Sequence, residues 1–261
     1  MSVKQYGFVL SALLLAGSVT FGADATPTVD EVIARYIKAI GGREKIDSVK
    51  TMKVSGKTIF GGGMESPTTL ETKRPNKMRM EFTFQGMTGT RAYDGKTGWS
   101  IMPFMGKTDP EKMSEDEVKD MEEQADMDGP LVDYQKKGNK VELLGKEDVE
   151  GSSAYKVKVT KKDESVQYHF LDAETFLPVK IVAKMKRHGT EMEVEQILSD
   201  YKSIGGLMVA HSMQNRAAGQ GGMGGGMNMV FDKVEVNVDI PDDRFAMPEA
   251  KKAEAPEKKE K

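Results

Sequence analysis

Residue types that could do chemistry are sparse in this 261-residue chain, which has three histidines, one tryptophan and no cysteine. His169 and His211 fall in alternating, strand-like stretches. His188 stands in a turn, where a non-glycine residue with positive φ is often Asn, Asp or His. No cluster of His, Cys and carboxylates surrounds any of them, so neither a zinc site nor a catalytic triad can be assembled, and His169 and His211 read as structural. Gly95-Lys96-Thr97 and Gly106-Lys107-Thr108 end like a P-loop, but the glycine needed five residues earlier is Thr90 in one and Ile101 in the other. Gly219 to Gly224 matches G-x-G-x-x-G with no helix pattern after it, and Asp242-Asp243 has the look of a turn. One constellation could hold a ligand: Met223, Met227 and Met229, with Met213 and His211 on the strand before them. Thioether sulfurs on a flexible loop suit Cu(I). The competing reading is a Gly-rich hairpin loop whose methionines touch an apolar surface. No enzyme activity, cofactor or other metal is expected.

The elements that would position any site are strands. From Lys77 to Phe84 the residues Met78, Met80, Phe82 and Phe84 alternate with Lys77, Arg79, Glu81 and Thr83, the period of a strand with one apolar face and one wet face. Gln85-Gly86 can close a two-residue hairpin, which sets Gly89 opposite Phe82 and Arg91 opposite Met80 in the strand Met87 to Tyr93. A second turn at residues 94–97 leads to Gly98-Trp99-Ser100-Ile101. The Met/Phe face needs either a cover or a ligand. As a cavity, its expected lining is Met78, Met80, Phe82, Phe84 and Trp99, with Arg91 turned inward toward a headgroup or a lid.

Two helices could supply that lid. Thr28 and Glu31 form a capping box ahead of Val29, Val32, Ile33, Tyr36, Ile37 and Ile40 at helical spacing, and Gly41-Gly42 ends the run. Ser114 and Glu117 form a second box, opening an acidic helix to about Met127 with the thin stripe Val118, Met121 and Ala125, a pattern expected on a surface. The lid candidates are Val32, Ile33, Tyr36, Val118 and Met121. Residues 44–46 read as a short turn. Further strands are expected at residues 49–60, up to Lys73, and at 141–146, 154–161, 166–171, 179–186, 195–201, 207–213 and 229–238. Short-loop logic makes these roughly eleven or twelve antiparallel elements. Around His188-Gly189 the register should pair Lys186 with Glu191, Lys184 with Glu193, Met185 with Met192 and Ala183 with Val194.

Residues 1–25 have the pattern of an export signal: Lys4, an apolar run from Phe8 to Phe21, and Ala23-Asp24-Ala25 for cleavage. No stretch is long enough for a transmembrane helix, and the absence of cysteine excludes both a lipid anchor at the cleavage site and disulfides. The 38 basic and 41 acidic residues are mixed along the chain, which argues against a nucleic-acid partner. The 19 methionines suit either irregular core packing or an adaptable apolar site. Domain boundaries are expected at 1–25 for the signal, 26–248 for a mainly β domain, and 249–261 for a charged, disordered tail.

The strings AIGGREKIDSVKTMKVSGK, RPNKMRMEF, AYDGKTGWSI, DAETFLPVKI, DYKSIGGLMVAHSM and VEVNVDIPDDRFAMP, in this order, resemble the outer-membrane lipoprotein-sorting proteins, relatives of the periplasmic carrier LolA. The resemblance covers about residues 28–248. It implies an unclosed β-barrel, a strongly curved antiparallel sheet with helices over its concave face, enclosing a cavity for acyl chains. The implied function is a periplasmic, non-enzymatic, monomeric carrier of lipid acyl chains or lipoproteins, with an inner- or outer-membrane acceptor protein as partner. An envelope-stress sensor or protein-interaction module on the same fold is the alternative. The helical insertion at about residues 103–138 and the Gly/Met loop at 216–228 make the chain longer than the dedicated carrier.

Overall fold

The computed structural model describes residues 26–187, 190–217 and 226–249. Helices α1 (Val29–Ala39) and α2 (Arg43–Ser48) precede β1 (Thr51–Phe60), β2 (Met64–Lys73), β3 (Lys77–Phe84), β4 (Met87–Tyr93), β5 (Gly98–Met102) and β6 (Lys107–Lys112). Helix α3 (Glu115–Ala125) then leads to β7 (Lys140–Val149), β8 (Ser152–Thr160), β9 (Val166–Asp172), β10 (Pro178–Arg187), β11 (Thr190–Ile204), β12 (Leu207–Ala217) and β13 (Met227–Val236). All the strands belong to one sheet, ordered β6-β5-β4-β3-β2-β1-β13-β12-β11-β10-β9-β8-β7. The sheet is thus two meanders joined where β1 pairs antiparallel with β13.

The sheet is open and strongly bent. Lys119 Nζ on α3 lies 2.5 Å from Asp163 Oδ2 in the β8–β9 turn, and Lys161 pairs with Glu123 of the same helix. The helix also packs on β3, β4 and β5 through Met121 and Ala125, against Met78 and Tyr93. At about 4.8 Å per strand, β4 and β9 would stand roughly 40 Å apart in a flat sheet. An 11-residue helix is only about 16 Å long, so the sheet must curl for one helix to reach both. This is the unclosed barrel with helices over its inner face.

Local signals behave as their chemistry requires. Both capping boxes form, at Thr28 with Glu31 and at Ser114 with Glu117. Gln85 and Gly86 adopt φ of 50° and 78°, the primed turn that matches strand twist, and set Gly89 opposite Phe82 and Arg91 opposite Met80. The β10–β11 register pairs Lys186 with Glu191, Lys184 with Glu193, Met185 with Met192 and Ala183 with Val194, as expected, while His188 and Gly189 lie outside the described residues.

Two elements differ from expectation. The turn at 44–46 is the helix α2, held by an Arg43 Nε–Asp47 Oδ2 pair at 2.8 Å. Strand β6 is an addition to the expected series, because KTDPEK has no apolar alternation and pairs only along one side, with β5. Helix α3 lies on the surface as expected, with its acidic side exposed and the Met121 and Ala125 of its thin stripe buried, worth about 1.5–3 kcal/mol for a side chain of Met121's size.

The outer face carries a strap. Residues 239–245 cross β1 to β5, burying Ile240 and Phe245. Lys73 and Lys77 reach Asp242 Oδ1 at 2.8 and 3.0 Å, and Arg244 Nη2 reaches the buried Glu71 Oε2 at 2.9 Å. Trp99 is on this face, not the Met/Phe face, since it pairs with Ala92 and donates its indole N–H to the Phe245 carbonyl at 2.8 Å.

The seam between β1 and β13 leaves no room at Gly56, beside a bulge: a Cβ there would lie 2.0 Å from the Val230 carbonyl oxygen. Gly56→Ala should therefore destabilise the fold by about 1–3 kcal/mol in urea unfolding; an unchanged midpoint would show that the seam is not closed in this register. Phe245→Ala should cost about 3–5 kcal/mol and shift Trp99 fluorescence to the red, whereas unchanged emission would mean that the strap does not shield the indole.

Candidate functional site

On the inner face, between α1 and α2 on one side and β1, β2, β11, β12 and β13 on the other, lies a cavity of about 310 Å³. The sequence positions α1 over it through the helix ends. The N-terminal cap fixes the start, and at the other end the Met208 N–H donates to the Ile40 carbonyl at 3.1 Å. Gly41, at φ 130°, lets the chain turn beneath the Gly206 carbonyl, which would be 2.6 Å from an added Cβ. One side of α1 is then core, with Val32 and Ile33 against Val157, Val159 and Leu171. Tyr36 and Ile40 face the cavity. Opposite them stand Met52 and Val54 of β1, Leu70 of β2, Leu198 of β11, Val209 of β12 and Phe231 of β13.

The polar end is small and largely self-satisfied. Arg74, just after β2, donates Nε to the Val49 carbonyl at 2.8 Å and Nη2 to that of Ile46 at 3.0 Å. Its Nη1 meets Asp128 Oδ2 at 2.9 Å, and Nη2 bonds the other carboxylate oxygen. This bidentate pair ties the end of α2, the start of β1 and the segment after α3 together. Among the described residues, Arg74 and Asp128 are the only charged ones lining the cavity. Tyr201 donates its hydroxyl to the Pro178 carbonyl at 2.7 Å. Tyr36 makes no side-chain hydrogen bond among the described residues; burial, with Asp128 and Asp126 adding to it, pushes its hydroxyl up to about 12. Burial pushes Tyr201 upward as well.

The sequence-marked residues divide. Met78 and Met80 share the inner face with Tyr93, under Val118 and Met121 of α3, so at this end the Met/Phe face has a cover. Phe82 and Phe84 pack on Phe104 at ring-centroid distances of 5.6 and 5.8 Å, toward the β3–β4 hairpin. Arg91 is inward by register and half-buried. There it opposes the upward push that burial and Glu123 exert on the Asp120 carboxyl. None of these six positions, Trp99 included, lines the cavity, and of the five lid positions Tyr36 alone does.

Met229 is buried beside Phe231 and Val54, with Met213 and Met227 packed against them, and Met223 lies outside the described residues. His211 Nδ1 is 2.9 Å from the Val209 carbonyl, and His169 Nε2 is 3.2 Å from Gln167 Oε1. Among the described residues no group of three or more His, Cys, Asp or Glu could hold a metal ion, and no helix is long and apolar enough to cross a membrane. Sequence reasoning missed Val54, Leu70, Leu198, Tyr201, Val209 and Phe231. Strand alternation marks Val54 and Phe231 as one-sided, but only the β1–β13 pairing brings them together.

A hydroxyl with a raised folded-state pKa holds its proton more tightly folded than unfolded. Its contribution is fully present below the ordinary tyrosine value of 10 and is lost as pH rises through about 12. Stability should therefore fall across that window, and Tyr36→Phe should flatten the fall; an identical alkaline profile for both proteins would contradict the cavity-facing, buried hydroxyl.

Several solved structures share this fold. A DUF1329 family protein from Desulfovibrio piger superposes with a TM-score of 0.60 at 14% identity, covering 85% of this chain and 98% of its own. A LolA superfamily protein from Nitrosomonas europaea gives 0.56 at 15% identity, over 85% and 98% of the two chains. A putative outer membrane lipoprotein-sorting protein domain from Vibrio parahaemolyticus gives 0.56 at 12% identity, over 82% and 94%. At such identities the likeness is one of fold, an open barrel shared with these proteins. No curated protein matches the sequence. A family model does match, across residues 63–204 and so over more than half of the chain, and the protein belongs to the family described as "Predicted periplasmic protein (DUF2092)".

Proposed function

We propose that the protein is a non-enzymatic binding protein of the periplasm whose cavity takes up a lipid acyl chain, with the acyl chains of outer-membrane lipoproteins as one source. The observation that carries this reading is the cavity itself, lined by aliphatic, Met and Phe side chains and containing no charge that is not neutralised within it. Burying an acyl chain is worth about 0.8 kcal/mol per methylene, so part of a chain supplies useful affinity without specific polar contacts. The volume is at the small end of ligand sites, about 300–1,000 Å³. It suits a chain segment better than a whole lipid. Beyond Leu70 the apolar inner face continues to its register partner Met80 and on toward Phe82, a route for a longer chain. The catalytic alternative lacks a nucleophile, a base and an orienting group converging on the cavity. The fold shared with a lipoprotein-sorting domain supports a carrier role, as does membership of a periplasmic family.

Native mass spectrometry of the protein purified from periplasm, followed by lipid extraction, should find a bound acyl species. In a binding assay with a fluorescent fatty acid, Leu198→Trp should fill the cavity and weaken binding at least about ten-fold while the protein stays folded, and Phe82→Asp should weaken only chains long enough to leave the cavity. Unchanged binding by the folded Leu198→Trp variant would refute the cavity as the site.

A further inference from the structure

Four polar side chains gather at one end of the cavity, and three are already committed. The Arg74 guanidinium is spent on two backbone carbonyls and both oxygens of Asp128, so each member of that pair neutralises the other. Tyr201 donates to the Pro178 carbonyl. Tyr36 faces the same space with no hydrogen bond from its hydroxyl among the described residues. The hydroxyl is a free donor at the cavity wall, only partly shielded from solvent, and a ligand that displaces that solvent must supply an acceptor.

The surroundings of Tyr36 select the kind of acceptor. Asp128 and Asp126 stand near enough to disfavour negative charge at this point. A carboxylate brought here would lose its hydration and find no free cation, since Arg74 is spent on Asp128 and Lys137 on Asp126. An ammonium group would have to displace Arg74 from Asp128 after losing its own hydration. A neutral carbonyl oxygen meets neither obstacle.

We infer that the cavity discriminates in favour of acyl chains ending in a neutral carbonyl, an ester or an amide, over free fatty acid carboxylates, and that Tyr36 is the specificity-determining residue, donating its hydroxyl to that carbonyl. The inference rests on the acyl-chain reading of the cavity and deepens it. Lipids whose chains are esterified or amide-linked satisfy it, and free fatty acids do not.

The test is competition against a fluorescent apolar probe by three ligands of equal chain length at neutral pH: the methyl ester, the free acid and the plain alkane. The wild-type protein should bind the ester roughly ten-fold more tightly than the carboxylate. Tyr36→Phe, which keeps the ring and its packing, should weaken the ester roughly three- to ten-fold and leave the alkane unchanged. Retained alkane binding also shows that the variant is folded. Ester affinity unaffected by Tyr36→Phe, or a carboxylate that competes as well as the ester, would overturn the inference while the acyl cavity stands. Failure of all three ligands, the alkane included, would overturn the cavity reading and this inference with it.

Discussion

An antiparallel sheet whose first strand pairs with its last obliges the middle of the chain to travel from one edge of the sheet to the other. Here β1 meets β13 at the centre, so β6 and β7 end up at opposite edges with only residues 113–139 between them. The helix α3, about 16 Å long, lies within that span and touches β3 to β5 on one side and the β8–β9 turn on the other, and the span cannot pass through the sheet. It crosses over one face, and the sheet bends to meet it. The helix-covered interior, the bridge from α3 to the β8–β9 turn, and the cavity beneath the crossing all follow from this one pairing.

The crossing also explains why the space is apolar and yet has a polar corner. Leu131 and Val132, just after α3, are buried in the clusters formed with α1 and α2, so the crossing segment becomes part of the core that holds the helices down. Its backbone polar groups must be satisfied where it dips inward. Lys137 does this in part by donating to the Gly129 carbonyl at 2.6 Å and to Asp126, and Asn139 donates to the Pro130 carbonyl at 3.0 Å. Arg74 then joins Asp128 to the backbone at Ile46 and Val49. The charges nearest the cavity thus serve the architecture.

Local chemistry was legible in the sequence to the degree that it was local. Capping boxes depend on residues three apart, and a two-residue turn fixes a hairpin register completely, so α1, α3 and the β3–β4 and β10–β11 pairings could be written down in advance. Trp99 shows the limit of attention more than of information. Once Tyr93 pairs with Gly98, the pleat puts Trp99 on the face of Ala92, away from Met78 and Met80. The cavity was out of reach for a different reason. It is assembled from β1, β2, β11, β12 and β13, whose contact depends on a pairing between residues more than 170 positions apart, and no period or turn signal encodes that. The positive φ of 52° at Asp200, inside β11, likewise has no mark in the strand pattern.

An unclosed barrel keeps two unpaired edges, each a template onto which another copy could add a strand. Strand β6, KTDPEK, meets this hazard with Pro110, which has no N–H to offer, and with lysines at both ends. Strand β7 meets it differently, through a break in register between Leu143 and Lys146 and a left-handed Gly145 at φ 107°, followed by Lys146, Glu147 and Asp148. Charge and irregularity at both rims oppose the addition of a further strand to the hydrogen-bonding ladder. An unclosed barrel can therefore keep its edges open at a lower risk of self-association.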